Sequence, residues 1–180
     1  MAEVIDIGLP SNPVSVGVLI VTAMAPLPMD GILDALIHVG APSWRPVEEV
    51  VAGTVDRLCR QGLLEVIFDH QVGRFAPSAV ARATLPKVLD ALPLAGASSD
   101  ISYKLRVMGL DVLEPPERAK QLEALVGYWR RVADFWKTAQ DRCPCTQPSV
   151  RGWMKHNLSL ARSEVDWLGS MAATGHVGEA

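Results

Sequence analysis

A chain of 180 residues, 49% hydrophobic and 21% charged, has material for one ordinary domain, or a small domain with a helical extension, and is too apolar for wholesale disorder. A net charge of −3 and a pI near 5.8 argue against a protein that coats nucleic acid by bulk positive charge. No apolar run reaches the ~18 residues of a membrane span. The first residues carry Glu3 and Asp6 and no basic cluster, so they do not read as a secretory signal. Three cysteines, an odd count, point to a reducing cytoplasm rather than a disulfide framework.

Residues 1–13 read as a tail ending in Ser-Asn-Pro. Val14–Ala25 is apolar almost throughout, which suits a buried helix and leaves a strand open on composition alone. Pro26 and Pro28 break it. In Met29–Val39 the apolar residues Met29, Ile32, Leu33, Leu36 and Ile37 share one face of an amphipathic helix, and Gly40 follows its last turn. A third helix is expected from near Pro46, with Glu48 and Glu49 in its first turn, Val47, Val50, Val51, Val55, Leu58 and Cys59 on its buried face, and Gly62 at its end. Leu63–Phe68 is a strand, Asp69–Gly73 a turn and Arg74–Ala76 a returning strand. Three short helices and a hairpin outline a winged helix. A further helix runs from Pro77 to about Leu92.

Residues 93–100 are small and polar and mark a linker. Beyond it, Ile101–Leu113 forms a short helix with Leu105, Met108 and Leu110 inward. Residues 116–141 carry the longest helical pattern, with Leu122, Leu125, Val126, Trp129, Val132, Ala133 and Trp136 at spacings of three and four. Cys143-Pro144-Cys145 interrupts it, and residues 150–173 form the last helix with Trp153, Leu158, Leu160, Ala161, Val165, Trp167 and Leu168. The domains expected are a tail at 1–13, a winged-helix domain at 14–92, a linker at 93–100, a helical dimerisation domain at 101–173 and a tail at 174–180.

Several segments are familiar in their order and spacing. They are Val18–Leu27 with its small-Pro turn, Met29–Leu36, Trp44-Arg45-Pro46, and Leu58 with Arg60–Glu65. In the second half they are Tyr103–Leu110, Pro115–Arg118 with Gln121-Leu122-Glu123, and the closing Ala161–Leu168. Over residues 14–173 the chain resembles the PadR-like family of bacterial transcription regulators, in the branch with a helical C-terminal domain. The resemblance implies a mostly α fold: a winged helix-turn-helix domain with a small β-hairpin wing, and helices that make a homodimer. It implies a cytoplasmic regulator of operator DNA. Arg45, Thr54, Arg57 and Arg60 would contact DNA from the third-helix region, and Arg74 from the wing. Dimer interfaces of the family can carry apolar ligands, so Leu122, Trp129, Trp136, Trp153, Trp167 and Leu168 are candidates for the dimer interface or a small-ligand pocket. Ala52 stands where the family's recognition helix has an aromatic, and Gly53-Thr54-Val55 falls one turn late.

Charge is divided unevenly. Residues 1–97 hold six Lys/Arg against ten Asp/Glu, a net −4, and residues 98–180 hold eleven against ten. The domain expected to read DNA is the acidic half, although phosphate neutralisation supplies most non-specific affinity. Arg57 and Arg60 are neighbours on one helix face, which concentrates the few cations. A second reading therefore stays open: a winged helix that has lost DNA binding and serves as a protein-interaction partner.

Catalysis finds little support. His38, His70, His156 and His176 are scattered, with no nucleophile motif, phosphate loop or metal-binding His-Glu pattern, so no enzyme and no cofactor is expected. Cys143 and Cys145 form one close pair without the second pair a structural zinc site wants. They read as incidental loop thiols, with an interchain disulfide or a redox switch as the alternatives.

Overall fold

The computed structural model describes residues 10, 12–39, 44–70, 72–95 and 99–174. The expected tails lie mainly outside these residues, as do Gly40, Gln71, His176 and positions 96–98 of the expected linker.

Helix α1 (Pro13–Met24) opens with Asn12, whose Oδ1 accepts a hydrogen bond from the Ser15 amide at 2.9 Å, and with Pro13 in the first turn. These start signals resolve the helix-or-strand ambiguity of its composition. The helix is apolar on every side because other elements surround it: Val16, Val18, Leu19, Ile20 and Val21 are all buried. Its buried Thr22 hydroxyl is satisfied by donating to the Val18 carbonyl at 2.7 Å. Gly17 lies where α1 meets its neighbours. A Cβ there would stand 2.7 Å from Leu36 Cδ2, and Leu105 and Trp44 close the same spot.

Helix α2 (Met29–Val39) buries Ile32 and Leu36. Helix α3 (Glu48–Arg60) buries Val51, Thr54, Val55 and Leu58. Val47 and Val50, expected on the buried face, are instead 58% and 49% exposed. Val47 is the N-cap, outside the helical register, and Val50 lies off the Val51–Val55–Leu58 stripe. Gly62, at φ +68°, turns the chain through the left-handed region into β1 (Leu64–Asp69). Strand β1 pairs antiparallel with β2 (Val72–Pro77), Leu64 opposite Pro77 and Asp69 opposite Val72.

The segment read as a simple break, Pro26-Leu27-Pro28, has a structural task. Leu27 donates to and accepts from Phe75 at 3.2 and 2.8 Å, which ties the hairpin to the α1–α2 corner. Flanked by two prolines, Leu27 supplies the one amide hydrogen of that tripeptide.

Helix α4 (Ala79–Asp90) is capped by Ser78 Oγ, and α5 (Ser99–Gly109) runs into a 3-10 turn at Leu110–Val112. Helix α5 packs on α1 and α4, burying Ile101 and Leu105, and the 3-10 turn after it buries Leu110. At Gly109 a Cβ would meet Leu89 Cδ1 at 2.6 Å, so that approach needs a glycine. Arg106 completes the joint. Its guanidinium is buried, donates to the carbonyls of Leu89 and Asp90 at 2.7 Å each, and lies 3.9 Å from the Asp90 carboxylate. Burial pushes its pKa down and Asp90 acts in the opposite sense. By packing, the chain divides into units 1–113 and 114–180, so α5 goes with the winged helix and the division falls at Leu113 rather than at 93–100. The physical reason is that the apolar face of α5 is buried against α1.

The second unit is an αα-hairpin of α6 (Pro115–Arg142) and α7 (Pro148–Thr174). Residues near position 133 of α6 face those near 165 of α7, and residues near 140 face those near 154, so the helices run antiparallel. Prolines open both helices, where a missing amide hydrogen costs nothing.

Candidate nucleic-acid interface

Helices α2 and α3 and the β1–β2 hairpin are the parts of a winged helix that could meet a duplex. Arg45, Arg57 and Arg60 are exposed, and Arg74 is half-buried. Thr54 is not available: at 6% exposure it faces the core beside Val51 and Val55. It sits three residues after Val51 and four before Leu58, on the apolar stripe, so α3 cannot present it to solvent.

The arginines are partly engaged. Arg57 Nη2 donates to the buried Ser15 Oγ at 2.7 Å, pinning the side chain back toward α1. Arg60 pairs with Asp56 one turn earlier, both exposed. Arg74 lies 3.4 Å from Asp69 and also donates to the Pro26 carbonyl at 3.4 Å. Among the described residues Arg45 and Arg57 have no carboxylate within 4.0 Å. An exposed i,i+4 pair such as Arg60–Asp56 is worth only about 0.3–0.5 kcal/mol, so a phosphate could displace Asp56 at small cost. Glu48 and Glu49 are exposed in the first turn of α3, where they complement the helix dipole and oppose an approaching phosphate. Cys59, on the same helix, has its thiol pKa pushed up by burial and then by Asp56.

The hairpin carries a feature the sequence reading passed over. Val66, Ile67, Phe68 and Val72 are all exposed, Phe68 at 76%. Alternation along β1 puts Val66 and Phe68 on one face and Ile67 on the other. Gly73 lies under the first face, its Cβ position 3.4 Å from Val66 Cγ1 and 3.8 Å from the Phe68 ring. The unbroken run Val-Ile-Phe was a legible sign, since a strand apolar on both faces needs cover on both.

In the second unit Leu122 and Leu168 are buried in the chain itself. Trp136 of α6 and Trp153 of α7 meet edge to face, ring centres 4.7 Å apart, and Trp129 meets Tyr128 at 5.4 Å. Trp153, Leu160 and Trp167 are exposed at seven-residue intervals and form one stripe along α7, with Phe135 exposed on α6. Two cavities open on this unit. One, of about 350 Å³, is lined by Arg130, Ala133, Asp134, Arg162, Val165 and Asp166, four charged side chains with two apolar ones between them. The other, of about 300 Å³, adjoins Cys143 and Cys145. Those two residues are joined in a disulfide within the chain, which corrects their reading as incidental loop thiols, and Cys59 is free. Among the described residues no group of three or more His, Cys, Asp or Glu could hold a metal, and no helix is long and apolar enough to cross a membrane.

No family model and no curated protein matches the chain. Among solved structures it is similar to Bacillus subtilis PadR in complex with operator DNA, at 13% identity and a TM-score of 0.41, covering 92% of this chain and 99% of that one. It is also similar to the Vibrio cholerae virulence activator AphA, at 16% identity and a TM-score of 0.39, covering 91% and 98%. The described residues are mostly α, with three helices followed by a two-stranded antiparallel hairpin, the element order of a winged helix.

Proposed function

We propose that the chain is a PadR-like transcription regulator that binds operator DNA as a homodimer. The observation that carries this reading is the winged helix itself: α3 keeps one face in the core and leaves Arg60 in solvent and Arg57 exposed but tied to Ser15, with Arg45 just before it and the hairpin beyond it. The dimer is supported by the Trp153–Leu160–Trp167 stripe, which a second copy would cover, and paired identical faces are the commonest assembly. A ligand-responsive role would act through the same helices. The protein works in the cytoplasm, as a regulator of DNA must in a bacterium, and is not an enzyme.

A second reading has its own observation. The hairpin tip is apolar on both faces, and α3 begins with exposed Val47, Glu48, Glu49 and Val50. That surface suits a protein partner better than a phosphate backbone. Fluorescence anisotropy with the duplex upstream of the protein's own gene and a scrambled control, at low and moderate salt, separates the two. Binding to the upstream duplex that survives moderate salt supports the regulator, and Arg45→Ala and Arg57→Ala should each weaken it. No binding to either duplex at low salt, where electrostatics is least screened, refutes it and leaves the protein-partner reading.

A further inference from the structure

The corner between α6 and α7 holds Cys143 at the C-cap of α6, Pro144, and Cys145 three residues before α7. The two sulfurs are joined across a separation of two residues. A structural disulfide stabilises mainly by closing a long loop in the unfolded chain, and this one closes almost none. Both cysteines are half-buried rather than sealed. Disulfides open to solvent are the ones that exchange.

The surroundings are built for more than a staple. The Cys145 amide donates to Cys143 Sγ at 3.3 Å, a hydrogen bond that would stabilise a thiolate on Cys143. Arg151 Nε donates to the Cys145 carbonyl at 3.1 Å, so its guanidinium is anchored beside the pair. The adjoining cavity of about 300 Å³ is lined by both cysteines, Gln140, Asp141, Arg151, Met154 and Lys155. Its two cations outnumber its one carboxylate. Gln140 Nε2 is buried with no hydrogen-bond partner, a donor left over at the wall. A cavity of this size takes a small molecule, and its charges select an anionic one.

We propose that Cys143–Cys145 is a redox-active disulfide that exchanges with a low-molecular-weight anionic thiol of the glutathione class seated in this cavity. The incoming thiolate attacks Cys145 Sγ. The protein S–S bond breaks, a mixed disulfide forms on Cys145, and Cys143 leaves as a thiolate held by the Cys145 amide. A second small thiolate attacks its counterpart in the mixed disulfide and releases Cys145. The net change is one protein disulfide and two small thiols to two protein thiols and one small disulfide, so the protein is reduced by two electrons and the small thiols are oxidised. The reverse sequence uses the small disulfide as oxidant. This inference does not depend on DNA binding.

The test uses the full chain equilibrated anaerobically over a range of reduced-to-oxidised glutathione ratios, quenched by alkylation, with Cys143 and Cys145 followed by peptide mass. The pair should pass reversibly between disulfide and dithiol within that range, and Cys143→Ser should accumulate the mixed disulfide on Cys145. Arg151→Ala/Lys155→Ala should slow reduction by glutathione roughly tenfold at low salt, as loss of electrostatic attraction predicts, and leave reduction by uncharged dithiothreitol unchanged. Circular dichroism confirms that each variant is folded. Should the pair stay bonded, or stay as two thiols, at every ratio, the proposal fails. It fails also if no mixed disulfide forms in Cys143→Ser, or if the double variant reacts with glutathione at the wild-type rate.

Discussion

Arg106 is the residue through which the joint between α4 and α5 can be tested. Replacing it by Met keeps a long side chain over Leu89 and removes the guanidinium. Two hydrogen bonds of 2.7 Å are lost, to the Leu89 and Asp90 carbonyls at the end of α4. A hydrogen bond to a charged group contributes about 1.5–3 kcal/mol net. The loss is partly offset in two ways. Leu89 O keeps its bond from the Leu92 amide, and the variant no longer buries a charge, the burial that lowers the guanidinium pKa. The two effects together leave a cost of about 2–3 kcal/mol, below the roughly 3–6 kcal/mol that two such bonds sum to. Urea denaturation should show a lower midpoint at unchanged slope. Lys104→Ala is the control. Its partner Asp100 is exposed, and loss of that pair should cost no more than about 0.5 kcal/mol. If Arg106→Met unfolds within about 0.5 kcal/mol of the wild type, the buried arginine does not hold α5 to α4 and the reasoning is wrong.

Two glycine substitutions should have opposite signs. Gly17→Ala drives a Cβ to 2.7 Å from Leu36 and should destabilise by about 1–2 kcal/mol, whereas Gly53→Ala in α3 meets nothing within 4 Å and should stabilise by about 0.5–1 kcal/mol, both read from thermal or urea melts. Glu48→Gln/Glu49→Gln should raise duplex affinity several-fold at low salt, with the gain shrinking as salt rises, while removing about 0.5–1 kcal/mol of helix-dipole stabilisation. Unchanged affinity in anisotropy titrations would mean that the start of α3 does not approach DNA. The raised pKa of Cys59 means that the native state holds its proton where the unfolded state has lost it. Stability should therefore fall as pH rises above the ordinary thiol value of about 8.5. In Cys59→Ser that part of the alkaline decline should vanish, and parallel pH curves for the two proteins would refute the assignment.

Much of the winged helix is legible in local chemistry. Asn12-Pro13 starts α1, the Ile32–Leu36 spacing makes α2 amphipathic, and Gly62 supplies the left-handed turn before β1. Errors arise where a residue's face depends on rotation about the helix by a single position. Val50 and Thr54 are both plausible neighbours of Val51 in a linear reading. Packing against α1 buries Thr54 and leaves Val50 in solvent. Of the five residues nominated for DNA, Thr54 is therefore the one the fold removes, and three of the four arginines, Arg57, Arg60 and Arg74, turn out to have partners at Ser15, Asp56 and Asp69, the first of them forty-two positions away.

Composition, patterning and capping residues are properties of neighbours along the chain, and they determine that this protein is mostly helical with one hairpin and a long αα-hairpin at its end. Long-range contacts decide the rest. The place of α5 follows from Leu105 against Gly17 and Gly109 against Leu89, not from the polar segment before it. Pro26-Leu27-Pro28 becomes a sheet contact only because Phe75 lies opposite, and Arg106 is buried only because it meets the Leu89 and Asp90 carbonyls at the end of α4. The sharing of a buried surface is fixed by three-dimensional approach, and local periodicity carries no record of which partner arrives.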